Sequence, residues 1–300
     1  MLSAEFFSRI LLKHVDRGTF LKIRRGYFKF RKAFAPVTKM IHGSFNSADL
    51  RSELEERLPS DFDILMVHSS YNALLPMYQG SQMELLKTLI DFCGATRTLV
   101  MPAFYFGEAD DGGARGTFLR DPKFDVRRTP SQMGILTELF RRTRGVLQSK
   151  HPVYRVAALG PQAAHLIARH EESLTGMGHN TPFDFMAKHT TCVLGVGKTF
   201  QVLTQVHHVE SMLGEDFPAE TKMHEPIAVT VVGPHEETVV NIGGRSVSQE
   251  FNIWKLREIL RADQLQEWSF HSVPMFSADA GLVTNKLIEA ARERKFVLYD

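Results

Sequence analysis

Short apolar runs that end in polar residues, separated by stretches of helical period, restrict the fold of this chain more than any other feature. Asp63-Ile-Leu-Met-Val-His-Ser69, Thr98-Leu-Val-Met-Pro-Ala-Phe104 and Thr191-Cys-Val-Leu-Gly-Val-Gly197 read as buried strands. Between them, Ser47–Leu58, Met83–Phe92 and Ser131–Arg142 read as helices. Ser47 is a candidate cap for the first, and Thr129-Pro130 stands ahead of the third. Such alternation predicts an α/β protein with helices on both faces of one sheet. Pro226–Val240 reads as two strands around Gly233-Pro234, so the sheet is mixed or carries a β appendage. Residues 105–128 form a polar, glycine-containing stretch too long to be an idle connection. The expected architecture is a layered α/β/α body with a central mixed sheet and a basic N-terminal helical arm.

The arm is a matter of charge. Ten Lys or Arg against two acids give residues 1–42 a charge of +8, so the +2 of the whole chain leaves −6 for residues 43–300. The arm also carries seven Phe or Tyr between Phe6 and Phe34, with an amphipathic helix or two up to Pro36. We therefore divide the chain into a basic, aromatic-rich arm (1–42) and a single domain (43–300). The arm could dock on the acidic body or on a second copy, or contact an anionic membrane surface, where basic and aromatic side chains both help. No nucleic-acid-binding motif accompanies it. No apolar run is long enough to span a bilayer, and Arg9, Lys13, Asp16 and Arg17 interrupt any secretory h-region. Cys93 and Cys192, both in apolar runs, read as buried thiols, with no disulfide framework and no zinc pattern. A reducing cytoplasm suits them.

The sharpest chemical signal is Thr204-Gln-Val-His207-His-Val-Glu210. Residues i and i+3 share a helix face, so Glu210 can accept a proton from one nitrogen of His207 and leave the other basic. A general base needs that arrangement. Many His-x-x-Glu pairs are no more than surface pairs, so the rest of the chain has to support the reading. His68-Ser69-Ser70 ends the first strand, where ligands bind in open α/β sheets. Thr129-Pro130 and Gly134 read as a helix start with N–H groups suited to phosphate or carbonyl oxygen, or simply as a cap. Gly195-x-Gly197 lacks the third glycine of a dinucleotide fingerprint. No P-loop, Gly-x-Ser-x-Gly elbow or His-Glu-x-x-His zinc helix is present.

Taken in order, these segments resemble the aminoglycoside 3-N-acetyltransferase family. The elements that carry the resemblance are His68-Ser69-Ser70, Met101-Pro102, Phe124-Asp125, Thr129-Pro130 with Gly134, Glu138, and Ser149-x-His151-Pro152. Ala158-x-Gly160, Gly178-x-x-Thr181-Pro182, the Val193–Gly197 strand end and Thr204-x-x-His207-x-x-Glu210 complete the set, which runs from about residue 47 onward. The resemblance implies acyl transfer from acyl-CoA to an amine on a sugar-like ring. In that reading His207, Glu210, Thr204 and His68 form the catalytic group. Ser69, Ser70, Tyr71, Thr129 and Gly134 line the CoA site, and no metal takes part. The acceptor would meet Arg127, Arg128, His151, Arg155 and Thr181.

The chain departs from the family pattern at three points. Arg155 stands where a serine is common, Thr181 replaces a usual serine, and the arm is extra. Arg127, Arg128, Lys150 and Arg155 on the acceptor side suit an anionic acceptor, so a nucleotide-linked amino sugar is the expected one. The alternatives are an aminoglycoside acceptor, with antibiotic resistance as the outcome, or a non-catalytic protein of the same fold anchored by its arm. Intact His207, Glu210 and Thr204 argue against the non-catalytic reading.

Overall fold

A computed structural model describes residues 33–300, together with positions 19, 22 and 26. The expectations for residues 1–32 therefore lie almost wholly outside the described residues. Helix α1 (Ala35–His42) carries Pro36 in its first turn, where a missing N–H costs no intrahelical bond. Gly43, at φ 73°, closes it. Helix α2 (Ser47–Arg57) is capped by Asn46 and not by Ser47. The Asn46 side chain accepts from the N–H groups of Ala48 and Asp49, and the Asp49 carboxylate bonds back to the Asn46 N–H.

Strand β1 (Ile64–Ser69) leads through a short helix α3 (Tyr71–Leu74) to α4 (Gln82–Cys93), and then to β2 (Thr98–Pro102). Helix α5 (Ala114–Arg120) and strand β3 (Lys123–Asp125) occupy the stretch read as a loop. Helix α6 covers only Ile135–Phe140. Strands β4 (Leu147–Gln148) and β5 (Val156–Leu159), helices α7 (Ala163–Ile167) and α8 (Pro182–Lys188), strand β6 (Thr191–Val196) and helix α9 (Val206–Leu213) follow. A long hairpin, β7 (Thr221–Val232) with β8 (Glu237–Val247), precedes β9 (Leu265–Phe270), β10 (Val273–Asp279) and α10 (Ala280–Arg294).

The seven-stranded sheet has the order β4-β5-β2-β1-β6-β10-β9. Its centre, β2-β1-β6, is parallel and its flanks are antiparallel. It is the mixed sheet expected. Side chains alternate along β1: Ile64 and Met66 join a core under α8, α9 and α10, while Leu65 and Val67 join the core under α2 and α4. One strand thus feeds two cores, and this is why its sequence is apolar from Ile64 to Val67. The β7–β8 hairpin pairs with β3 in a separate three-stranded sheet with its own core of Phe118, Phe124, Val229, Val231 and Val240. That sheet is the expected β appendage.

The carboxyl ends of β1, β2 and β6 share one edge, and the antiparallel β5 begins there, with Val156 opposite Pro102. His68–Ser70, Ala103–Phe106, His151–Arg155 and Gly197–Thr204 all gather at this edge. The two glycines at the end of β6, Gly195 within it and Gly197 just after, have packing reasons. A Cβ at Gly195 would stand 2.1 Å from the Phe276 ring. Gly197 adopts φ 69°, with a Cβ position 2.8 Å from the Ser70 carbonyl. Both cysteines are buried and unpaired, and burial pushes each thiol up to about 12.

Candidate active site

Helix α9 puts its apolar residues Val206, Val209 and Leu213 into the core and leaves His207 and Glu210 partly exposed on the adjoining face. Buried polar anchors fix its start. Gln205 donates to the Phe183 carbonyl and to Thr284, both at 3.0 Å, and His208 Nδ1 donates to the Met177 carbonyl at 2.5 Å. With its neighbours held in this way, His207 cannot turn inward.

His207 Nδ1 lies 2.9 Å from Glu210 Oε1. The Tyr299 hydroxyl donates to the same oxygen at 2.8 Å. An ionised carboxylate only accepts, so the Nδ1 position must carry the proton and Nε2 is left as the acceptor. The Phe251 ring packs 4.9 Å from the imidazole and 5.3 Å from Tyr299. Burial, and then the Glu210 charge, raise Tyr299 well above an ordinary phenol, so its proton stays in place. Tyr154 stands nearby, its phenol raised first by burial and then by Glu210.

Thr204 precedes α9, and its hydroxyl is 3.4 Å from His68 Nε2. Burial and the Lys198 charge hold His68 down to about 3, so it is neutral at physiological pH. The structure thus brings His68, Thr204, His207 and Glu210 together at the carboxyl edge of the sheet. Ser69, Ser70 and Tyr71 lie at the same edge, partly exposed. The Ser70 N–H donates to the Val196 carbonyl, and its side chain makes no cap bond with α3. The Tyr71 hydroxyl donates to the Gly80 carbonyl.

Other expected site residues are placed differently. Thr129-Pro130 does not open a helix, because α6 begins at Ile135, after Gly134 at φ 102°. The N–H groups of Ser131, Gln132 and Met133 are already bound to Glu138, to the Phe104 carbonyl and to Ser131 Oγ. No free cradle remains at those three positions. Arg155 is fully buried. It donates to the carbonyls of Ala103, Val126 and Thr129 and lies 5.1 Å over the Phe124 ring. It cannot reach an acceptor. His151 is buried too, accepting at Nδ1 from the N–H groups of Val153 and Tyr154, with its ring 5.0 Å from His170. Thr181 caps α8 from the interior, donating to the Gly178 carbonyl. Arg128 pairs with Asp125 at 3.7 Å and Lys150 pairs with Glu236. Arg127 keeps an exposed side chain, and its carbonyl accepts from the buried Arg141.

Tyr299, Tyr154 and Phe251 are the site residues that the sequence did not reveal. They come from connections with no periodicity, and no motif marks them. Among the described residues, no group of His, Cys, Asp or Glu is arranged to hold a metal ion.

Comparison with known proteins gives the family and the fold. The family model described as aminoglycoside 3-N-acetyltransferase matches residues 66–290. The aminoglycoside N(3)-acetyltransferase IX of Micromonospora chalcea is 26% identical over 196 residues, which cover 62% of this chain and 69% of that protein. Among solved structures, the aminoglycoside acetyltransferase AAC(3)-Xa aligns with a TM-score of 0.69 at 19% identity, over 87% of this chain and 98% of that one. The AAC-IIIb complex with CoASH aligns with a TM-score of 0.66 at 20% identity, over 83% of this chain and 97% of that one. Those two likenesses are likenesses of fold. By the family match, this chain belongs to the aminoglycoside 3-N-acetyltransferase family and is an acyl-CoA-dependent N-acyltransferase.

Proposed function

We propose that the chain transfers the acyl group of an acyl-CoA to a ring amine of an aminoglycoside-type amino sugar, by direct attack, with His207 as the general base. The observation that carries this reading is the Nδ1–Glu210 contact of 2.9 Å, which leaves Nε2 basic on the open face of α9. A sugar ammonium has no lone pair until it loses a proton, and a positioned imidazole supplies the base. Nε2 takes the ammonium proton and passes it to solvent; the free amine then bonds to the thioester carbon, Nε2 takes the proton that its nitrogen now sheds, and the carbonyl oxygen becomes an oxyanion. Collapse breaks the C–S bond and releases the thiolate, which takes up a proton and leaves as CoASH. Neutral His68 can orient the Thr204 hydroxyl across their 3.4 Å contact, so that its proton faces the developing oxyanion. Ser69, Ser70 and Tyr71, at the strand edge beside His68, are the residues we assign to the donor, with Gly134 at the turn before α6.

The acceptor assignment follows from side-chain placement and from the relatives. Arg155 is an interior residue, while Arg128 and Lys150 have acidic partners. The argument for a nucleotide-linked amino sugar then rests on Arg127 and on Arg128, whose side chain stays largely exposed beside Asp125. The curated relative from Micromonospora chalcea carries aminoglycoside N(3)-acetylation in its name, which favours the aminoglycoside reading. We place the reaction in the cytoplasm because two buried unpaired thiols suit a reducing compartment. Among the described residues, no helix is long and apolar enough to cross a membrane. The test is thiol release from acetyl-CoA with gentamicin and with a nucleotide-linked amino sugar as acceptors. Release with neither, from a folded protein that binds CoA, would defeat the proposal.

A further inference from the structure

We infer that Tyr299 is a positioning residue for the His207–Glu210 base, delivered to it by segment 296–300 clamped on residues 250–255. The inference rests on the acyl-transfer role given to His207 above. Glu210 Oε1 accepts two hydrogen bonds, one from His207 Nδ1 at 2.9 Å and one from the Tyr299 hydroxyl at 2.8 Å. Glu210 sits on a helix face that its own element does not enclose. Without the phenol, its carboxylate could rotate away from His207 or turn to solvent. The second donor fixes which oxygen faces the imidazole.

The clamp is specific about where the phenol goes. The Asn252 N–H donates to the Leu298 carbonyl at 2.8 Å, and the Asp300 N–H donates to the Glu250 carbonyl at 3.0 Å. Phe251 and Tyr299 form a backbone bridge between these two bonds. Lys255 Nζ donates to the Tyr299 carbonyl at 2.6 Å and lies 3.5 Å from the Asp300 carboxylate. Asn252 Nδ2 donates to Asp300 at 2.5 Å. The ring of Tyr299 is wedged between Phe251 at 5.3 Å and Phe217 at 6.1 Å. A phenol held on both sides and tethered through its own carbonyl loses little further freedom when its hydroxyl reaches Glu210.

The electrostatic consequence has a sign. A donated hydrogen bond draws charge from the carboxylate and weakens its hold on a protonated imidazole. Loss of the hydroxyl should leave His207 protonated up to a higher pH. The other groups facing the pair are Tyr154, whose phenol burial and Glu210 raise, and neutral His68 behind Thr204. Neither titrates near neutrality, so a shifted acidic limb in the rate profile would report His207 and Glu210.

The experiment compares Tyr299→Phe, Lys255→Met and the wild-type full chain by thiol release from acetyl-CoA with gentamicin. Phe keeps the ring between Phe251 and Phe217 and deletes only the donor. We expect kcat to fall about tenfold, since a bond to a charged group is lost, with the KM for acetyl-CoA within twofold. The acidic limb of the pH–rate profile should move up by about 0.3 pH units or more. Lys255→Met loosens the clamp and should give a smaller fall with the same direction of limb shift. Wild-type kcat and an unmoved limb in Tyr299→Phe would overturn the inference. So would a kcat loss with no limb shift in both variants, which is what a purely structural role predicts. His207→Gln separates the two levels: its full activity defeats the base assignment, while its inactivity beside a fully active Tyr299→Phe defeats only the role of Tyr299.

Discussion

Arg155 donates to the Val126 carbonyl at 2.6 Å and thereby ties the main sheet to the small one. Val126 belongs to the core of the three-stranded sheet, while Arg155 directly precedes β5 of the seven-stranded sheet. The same guanidinium holds Ala103 after β2 and Thr129 in the turn beyond β3. Burial, and then the charge of Arg141, pull Arg155 down to about 9, so it remains cationic at neutral pH. Five fixed donors make arginine the side chain suited to gathering three carbonyls.

Arg155→Met keeps the volume and removes every donor. Three buried carbonyls then lose a partner, at about 1–3 kcal/mol each, and we expect a net destabilisation on the order of 3–5 kcal/mol. Urea unfolding followed by fluorescence measures it. The acceptor KM of the folded fraction should change little, and a selective rise of that KM with unchanged stability would return Arg155 to the acceptor site.

Replacing His207 by Gln should reduce turnover by about a hundredfold or more while leaving CoA binding close to wild type. Isothermal titration with CoA and steady-state thiol release give the two halves of the result. Glu210→Gln should cost less, because an amide oxygen can still accept from Nδ1 at the 2.9 Å distance observed. A normal rate in His207→Gln would remove the base from the mechanism.

Stability should fall on mild acidification, ahead of the carboxylates. His68 is held to about 3 by burial and Lys198, and His170 to about 4 by burial, both below the 6.5 of an unfolded histidine. Below pH 6.5 the unfolded chain takes up protons that the folded chain refuses, so stability is full above that value. It is then lost progressively as pH falls toward 4 for His170 and 3 for His68, at roughly 1.4 kcal/mol per pH unit for each. Melting temperatures between pH 8 and pH 5 test this. A flat profile, or one that rises toward acid, would contradict the burial argument.

Acceptor choice should show in the comparison of catalytic efficiencies. With Arg155 interior, gentamicin should exceed a nucleotide-linked amino sugar in kcat/KM. Arg127→Ala should leave the gentamicin value within a few fold. A nucleotide-linked substrate that is preferred, and that loses its advantage in Arg127→Ala, would reverse the assignment.

Periodicity and spacing alone determined the α/β class, the strands at 64–69, 98–102 and 191–196, and the i,i+3 pairing of His207 with Glu210. These are local properties: a strand buried on both faces must be apolar at every position, and a helix must bring i and i+3 together. The direction of Arg155 was not local. Its sequence neighbours, a histidine-proline turn and a strand, would suit a cleft as well as an interior, and only the approach of residues 103, 126 and 129 made it a buried donor. The start of α6 was missed for a related reason. The Ser131 N–H is bound by Glu138 seven residues later, so Pro130 precedes a turn and not a helix. Tyr299 lay furthest from inference, because its partner is 89 positions away and the bond depends on a clamp of backbone contacts that no composition encodes. Tertiary structure decided these three points because each depends on which distant carbonyl or carboxylate is within reach of a donor, and sequence spacing does not specify that.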